Sequence, residues 1–94
     1  MNPLDTAEIP SQVMTREMGD ETVILDLTTG TYFSLNPVGA RFWELLRQGM
    51  TFAQAREALQ DEYDVEQNRL ESDLQQLAID LVEKSLLRVR PAGQ

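Results

Sequence analysis

The sequence predicts an α+β fold in which a three-stranded antiparallel sheet precedes three helices, in the order β-β-β-α-α-α. Three observations carry that reading. Residues 12–35 hold three short runs with a period of two, parted by the turn signals Gly19-Asp20 and Thr28-Thr29-Gly30. Asn36-Pro37 then joins a helix cap to a proline at the first helical position. From there, apolar residues recur at helical spacing.

Taken in order, residues 1–11 mix polar residues with Pro3 and Pro10, show no period, and read as a flexible arm. Residues 12–18 alternate Val13, Thr15 and Glu17 against Met14, Arg16 and Met18, as a first strand would. In the second strand, residues 22–27, Val23, Leu25 and Leu27 share one face and are expected in the core. Thr22, Ile24 and Asp26 take the other. Gly30 can supply the positive φ that the next turn needs. In the third strand, residues 31–35, Phe33 and Leu35 face the core, and Tyr32 and Ser34 face away.

The first helix lines one face with Val38, Phe42 and Leu45, widened by Leu46 and flanked by Trp43. Gly39, one turn in, is a poor helix former whose missing side chain would let another element approach closely. Gln48-Gly49 ends the helix. Thr51 and Gln54 have capping-box spacing and open a second helix, with Phe52, Ala55, Leu59 and Tyr63 in one stripe. Asp64 and Gln67 repeat the spacing before a third helix, residues 66–84, striped by Leu70, Leu74, Leu77 and Leu81 and widened by Ala78 and Val82. Residues 86–89 suit a short last strand or a docked tail, and residues 90–94 read as a flexible tail. The last two helices form a helix-turn-helix with a hairpin beside them, so the expected shape is winged-helix-like. Residues 12–89 are the domain.

Composition limits the chemistry. With 94 residues the chain makes one domain, and its 41% hydrophobic and 26% charged residues are those of a soluble globular protein. It has neither cysteine nor histidine, so thiolate metal sites and the commonest general base are both missing. No cofactor or metal is expected. Asp61, Glu62 and Asp64 cluster, and Asp73 and Asp80 lie two turns apart, but acids near helix starts are more simply a solvated face. The net charge of −8, with basic residues scattered, argues against nucleic acid as a partner. No apolar run approaches the roughly 20 residues of a membrane span, and no secretory signal opens the chain. A cytoplasmic location is expected.

Peptide binding has positive physical support. The third strand of a meander pairs on one side only, and an extended peptide can add to its other side. The residues alone leave a second reading standing, in which the terminal segment or a homodimer covers that edge.

The run VILDLTTGTYFSLNPVGARFWELL, with Gly49-Met50-Thr51, Glu62-Tyr63-Asp64-Val65, Asp73-Leu74 and Lys84-Ser85-Leu86-Leu87, resembles the PqqD-like family of leader-peptide-binding domains, or RiPP recognition elements. The corner Leu35-Asn36-Pro37-x-Gly39-Ala40 looks most like the free-standing recognition proteins of lasso-peptide clusters. Ser85 departs from the glycine many relatives carry before the Leu-Leu pair. The resemblance implies a non-catalytic protein that binds a precursor's leader peptide and presents it to a leader peptidase and a cyclase, or to other modifying enzymes. Carriers of pyrroloquinoline quinone or other RiPP pathways are the close alternative, and a winged-helix DNA binder the distant one. The implied peptide-binding residues are Thr31, Tyr32, Phe33, Ser34 and Leu35 for main-chain pairing, with Asp73, Leu77 and Asp80 on the third helix.

Overall fold

The computed structural model describes residues 2–93. Its elements are β1 (Thr6–Glu8), β2 (Val13–Met18), β3 (Glu21–Asp26), β4 (Tyr32–Leu35), α1 (Pro37–Arg47), α2 (Phe52–Glu62), α3 (Gln67–Glu83) and β5 (Arg88–Arg90). Strands β2, β3 and β4 form an antiparallel sheet in that order, and β1 pairs antiparallel with β5 in a separate two-stranded sheet. The α+β order read from the sequence is present, with this second sheet added.

The hairpins follow from their turn residues. Gly19 and Gly30 both adopt positive φ. Before the second turn, the Asp26 carboxylate accepts from the backbone N–H groups of Thr28 (2.8 Å) and Thr29 (3.2 Å). Those bonds let a carboxylate sit buried, and they turn β3 over. Ile24 is fully buried and Asp26 is 2% exposed, whereas Leu27 is 62% exposed. The expected core face of this strand is therefore corrected. Val23, Leu25 and Leu27 face outward, and Ile24 enters the core opposite Phe33. Counting apolar residues picks the wrong face because the inward face holds a satisfied acid.

Helices α1, α2 and α3 supply most of the core. Asn36 caps α1 by accepting from the Gly39 N–H at 2.8 Å, and Pro37 occupies the first turn. Trp43, expected on the flank, is instead wholly buried against the sheet, and its indole N–H donates to Thr15 Oγ1 at 2.9 Å. Phe42, Leu45 and Leu46 join it from α1, with Phe52, Ala55 and Leu59 from α2. The capping box of Thr51 and Gln54 is formed in full. The Arg41 guanidinium binds the Glu62 carboxylate through two nitrogens and ties α1 to the end of α2. That hydrogen bond holds Glu62 below the usual carboxylate range and Arg41 above its own.

Three expectations about ends are corrected. Helix α3 is capped by Glu66, whose carboxylate accepts from Asn68 and Arg69 N–H, and not by Asp64. Its leucine stripe buries Leu70, Leu74 and Leu81 with Ala78, while Leu77 is half-buried and Val82 exposed. The segment expected as a flexible arm contains β1 and is fastened at several points. Pro3 and Asp5 carbonyls accept from Ala53 and Phe52 N–H, the otherwise orphaned first donors of α2. The buried Asp5 carboxylate also accepts from Ala92 N–H at 2.9 Å, which joins the arm to the expected tail, whose Arg90 lies in β5. Met1 and Gln94, at the far ends of that arm and tail, lie outside the described residues.

The end of α3 explains Ser85. Leu86 N–H donates to Leu81 C=O and Ser85 N–H to Val82 C=O, the pairing of a Schellman motif. That motif needs a left-handed residue, and Ser85 takes φ 60°. Serine does what glycine does there, at a steric cost.

Two outcomes follow from this packing. Ile24→Ala should lower the unfolding free energy by about 2–5 kcal/mol, and Leu27→Ser should change it by less than about 0.5 kcal/mol, in urea denaturation. Reversed magnitudes would mean that β3 faces the other way. Ser85→Gly should raise stability by about 1 kcal/mol, read as a higher urea midpoint at unchanged slope.

Candidate peptide-binding site

Strand β4 lies at the edge of its sheet, with β3 on one side. Its backbone polarity can be counted. Asp26 N–H donates to Thr31 C=O at 2.8 Å, so Thr31 points at β3. Antiparallel alternation then turns Phe33 and Leu35 toward β3 as well. The N–H and C=O groups of Tyr32 and Ser34 point the opposite way, into the open edge. Only these two of the five expected pairing residues offer main-chain groups to a partner. The C-terminal strand does not cover them, because β5 pairs with β1.

Beside that edge runs a groove of about 320 Å³, between β4 and α3, with α1 at its base. Apolar side chains of Phe33, Leu35, Leu70, Leu74 and Leu77 line it, and Val38 and Val65 also contribute. Gly39 forms part of the base. Arg69 and Asp73, one helical turn apart on α3, are exposed and flank the apolar strip with opposite charges. An extended chain pairing with Tyr32 and Ser34 would direct every second side chain into this strip.

The structure brings together most of the expected residues and separates others. Phe33, Ser34, Leu35, Asp73 and Leu77 all line the groove. Tyr32 is 68% exposed on the outer sheet face, opposite Leu25, so its backbone and not its ring adjoins the groove. Thr31 precedes β4 and belongs to the turn, where its N–H donates to Thr29 Oγ1. Asp80 is not among the residues that line the groove, and its carboxylate accepts from Gln76 Nε2 at 3.0 Å. Arg69 was missed, although it stands four residues before Asp73 and so shares its face.

The opposite edge, β2, adjoins a wider cleft of about 580 Å³ near the end of α1. Ser11, Thr15 and Arg47 interrupt its apolar lining, to which α1 contributes Leu46 and Arg47. Among the described residues, no three acidic side chains converge to hold a metal ion. None of the described helices is long and apolar enough to cross a membrane.

Comparison with known proteins gives this geometry a context. The family model described as coenzyme PQQ synthesis protein D (PqqD) matches residues 21–87. No curated protein sequence matches the chain. Among solved structures, TbiB1 in complex with the TbiA(beta) leader peptide is 38% identical. The match has a TM-score of 0.77 and covers 86% of this chain and 94% of that one. Lasso peptide synthetase B1 complexed with the leader peptide is 26% identical, with a TM-score of 0.78 and coverage of 87% and 96%. With the matched region running from β3 through α3 and including both walls of the groove, the chain belongs to the PqqD family.

Proposed function

We propose that this chain is a non-catalytic recognition protein that binds the leader of a ribosomally made precursor peptide as a fourth strand, paired to β4, in lasso-peptide biosynthesis. The observation that carries the reading is the unpaired Tyr32 and Ser34 backbone beside an apolar groove. The likeness to two leader-bound proteins, one of them named as a lasso peptide synthetase, supports it. The energetics agree. Each new backbone hydrogen bond contributes about 0.5–1.5 kcal/mol net, and each large apolar side chain buried in the groove about 1.5–3 kcal/mol. These gains oppose the cost of ordering a short peptide, about 2–5 kcal/mol.

The peptide-binding residues of this reading are Tyr32 and Ser34 for pairing, with Phe33, Leu35 and Leu77 as apolar walls. Arg69 and Asp73 select charge on the leader. A base in the leader beside Asp73, or an acid beside Arg69, gains from proximity at the groove rim. Presentation to a leader peptidase and a cyclase completes the role and places the work in the cytoplasm, where precursors are made. A chain without histidine or cysteine suits holding a substrate for separate enzymes better than cutting it.

A second reading draws on the family description, which names synthesis of coenzyme PQQ. There the same edge would hold the precursor of that cofactor. Titrating both leaders distinguishes the two pathways.

The decisive experiment is titration of the labelled leader of the precursor encoded beside this protein. Binding tighter than about 10 µM is expected, and failure to bind in that range would sink the proposal. A scan that N-methylates one leader residue at a time should weaken binding by about tenfold at alternate positions. Losses with helical spacing instead would refute strand addition. Mixed duplex DNA should show no retardation at low salt. Phe33→Ala should weaken the leader and also lower the urea midpoint, because its half-buried ring packs against the core. Leu35→Ala, deep in the core, should lower the unfolding free energy by about 2–5 kcal/mol.

A further inference from the structure

We propose that Gly39 is a positioning residue for the leader: by leaving room for Leu77, it sets the depth of the groove in which the peptide strand lies. The inference rests on the reading of this chain as a leader-binding protein.

The backbone does not require glycine at this place. Gly39 is buried within α1, and unlike Gly19, Gly30 and Gly49 it has no positive φ. Glycine also weakens a helix interior relative to alanine. Space is what the position requires. A Cβ there would lie 3.3 Å from Leu77 Cδ2, 3.3 Å from Asn36 Oδ1 and 3.5 Å from Leu35 Cδ2. The three neighbours come from α3, from the strand-to-helix corner and from β4, which are the elements that bound the groove.

Their freedom to move differs. Asn36 Oδ1 is engaged, since it accepts from the N–H of Gly39 itself at 2.8 Å. Leu35 is buried in the core. Leu77 is half-buried and lines the groove, so it is the side chain that yields. Pushed from beneath, it enters the space of the bound strand or carries α3 outward. Both responses alter the fit of a side chain inserted from the leader.

The test uses the full chain and two probes, the leader of the precursor encoded beside it and the TbiA(beta) leader peptide. Gly39→Ala should weaken binding by about tenfold or more. Its unfolding temperature should stay within a few degrees of the parent's, because better helix propensity offsets the tighter contact. Leu77→Ala removes the obstructed atoms. Adding Gly39→Ala to it should then change affinity by less than about twofold, a non-additivity that general loosening of the fold would not produce. Should Gly39→Ala fail to fold, the double variant restores the room and is expected to fold and bind as Leu77→Ala does. Parent-like binding by Gly39→Ala overturns the inference alone. So does a full further loss of affinity in the double variant, or its failure to fold. Absence of binding by the parent to either probe overturns the inference together with the proposed function.

Discussion

An antiparallel strand directs alternate residues to opposite neighbours, and among the described residues β4 has one neighbour, β3. The site depends on that constraint. Thr31, Phe33 and Leu35 are turned to β3, which leaves the main chain of Tyr32 and Ser34 open. Edges of this kind are commonly blunted by lysine, proline or a bulge. The residues of β4, Tyr-Phe-Ser-Leu, carry none of these devices. The chain's own spare strand, β5, is engaged with β1. The wall of α3 stands across the groove from that edge.

Helix α1 makes that arrangement possible because it links both walls. The Asn36 cap and Pro37 end β4 and set the direction of the helix. Trp43 then anchors the helix to β2 through Thr15, and Arg41 ties it to the end of α2. Helix α3 crosses over the result, and its Leu70, Leu74, Ala78 and Leu81 close the core. The groove is the space left where α3 and β4 both contact α1 without filling the gap between them. At the base of that gap Leu77 and Leu35 lie close against Gly39, which has no side chain to displace them.

Much of this was legible because local chemistry fixes local structure. The Asn36-Pro37 corner, the Thr51 capping box and the glycine turns each satisfy their own backbone groups within a few residues. They form whatever the rest of the chain does. The reading failed where the deciding partner is distant or the signal is shared. Strand β1 is three residues long and pairs with residues 88–90, near the other end of the chain, so no period could reveal it. In β3, Val23, Leu25 and Leu27 outnumber Ile24, yet the turn amides that hold Asp26 select the other face. Glu66 took the cap from Asp64 because its carboxylate reaches two amides at the start of α3.

Residue order alone shows the three-stranded meander and the three helices after it, the caps of the first two helices and the glycine turns, the lack of histidine and cysteine chemistry, and a family resemblance centred on one strand-to-helix corner. These properties depend on neighbours in the chain, which a sequence displays. Packing of the folded chain settles which face of β3 is core, that β1 and Asp5 fasten to β5 and Ala92, and which backbone groups of β4 stay open. It also decided that Arg69, rather than Asp80, joins Asp73 at the groove. Those choices turn on the register between strands and the rotation of α3 about its axis, which are set by packing among residues far apart in the chain.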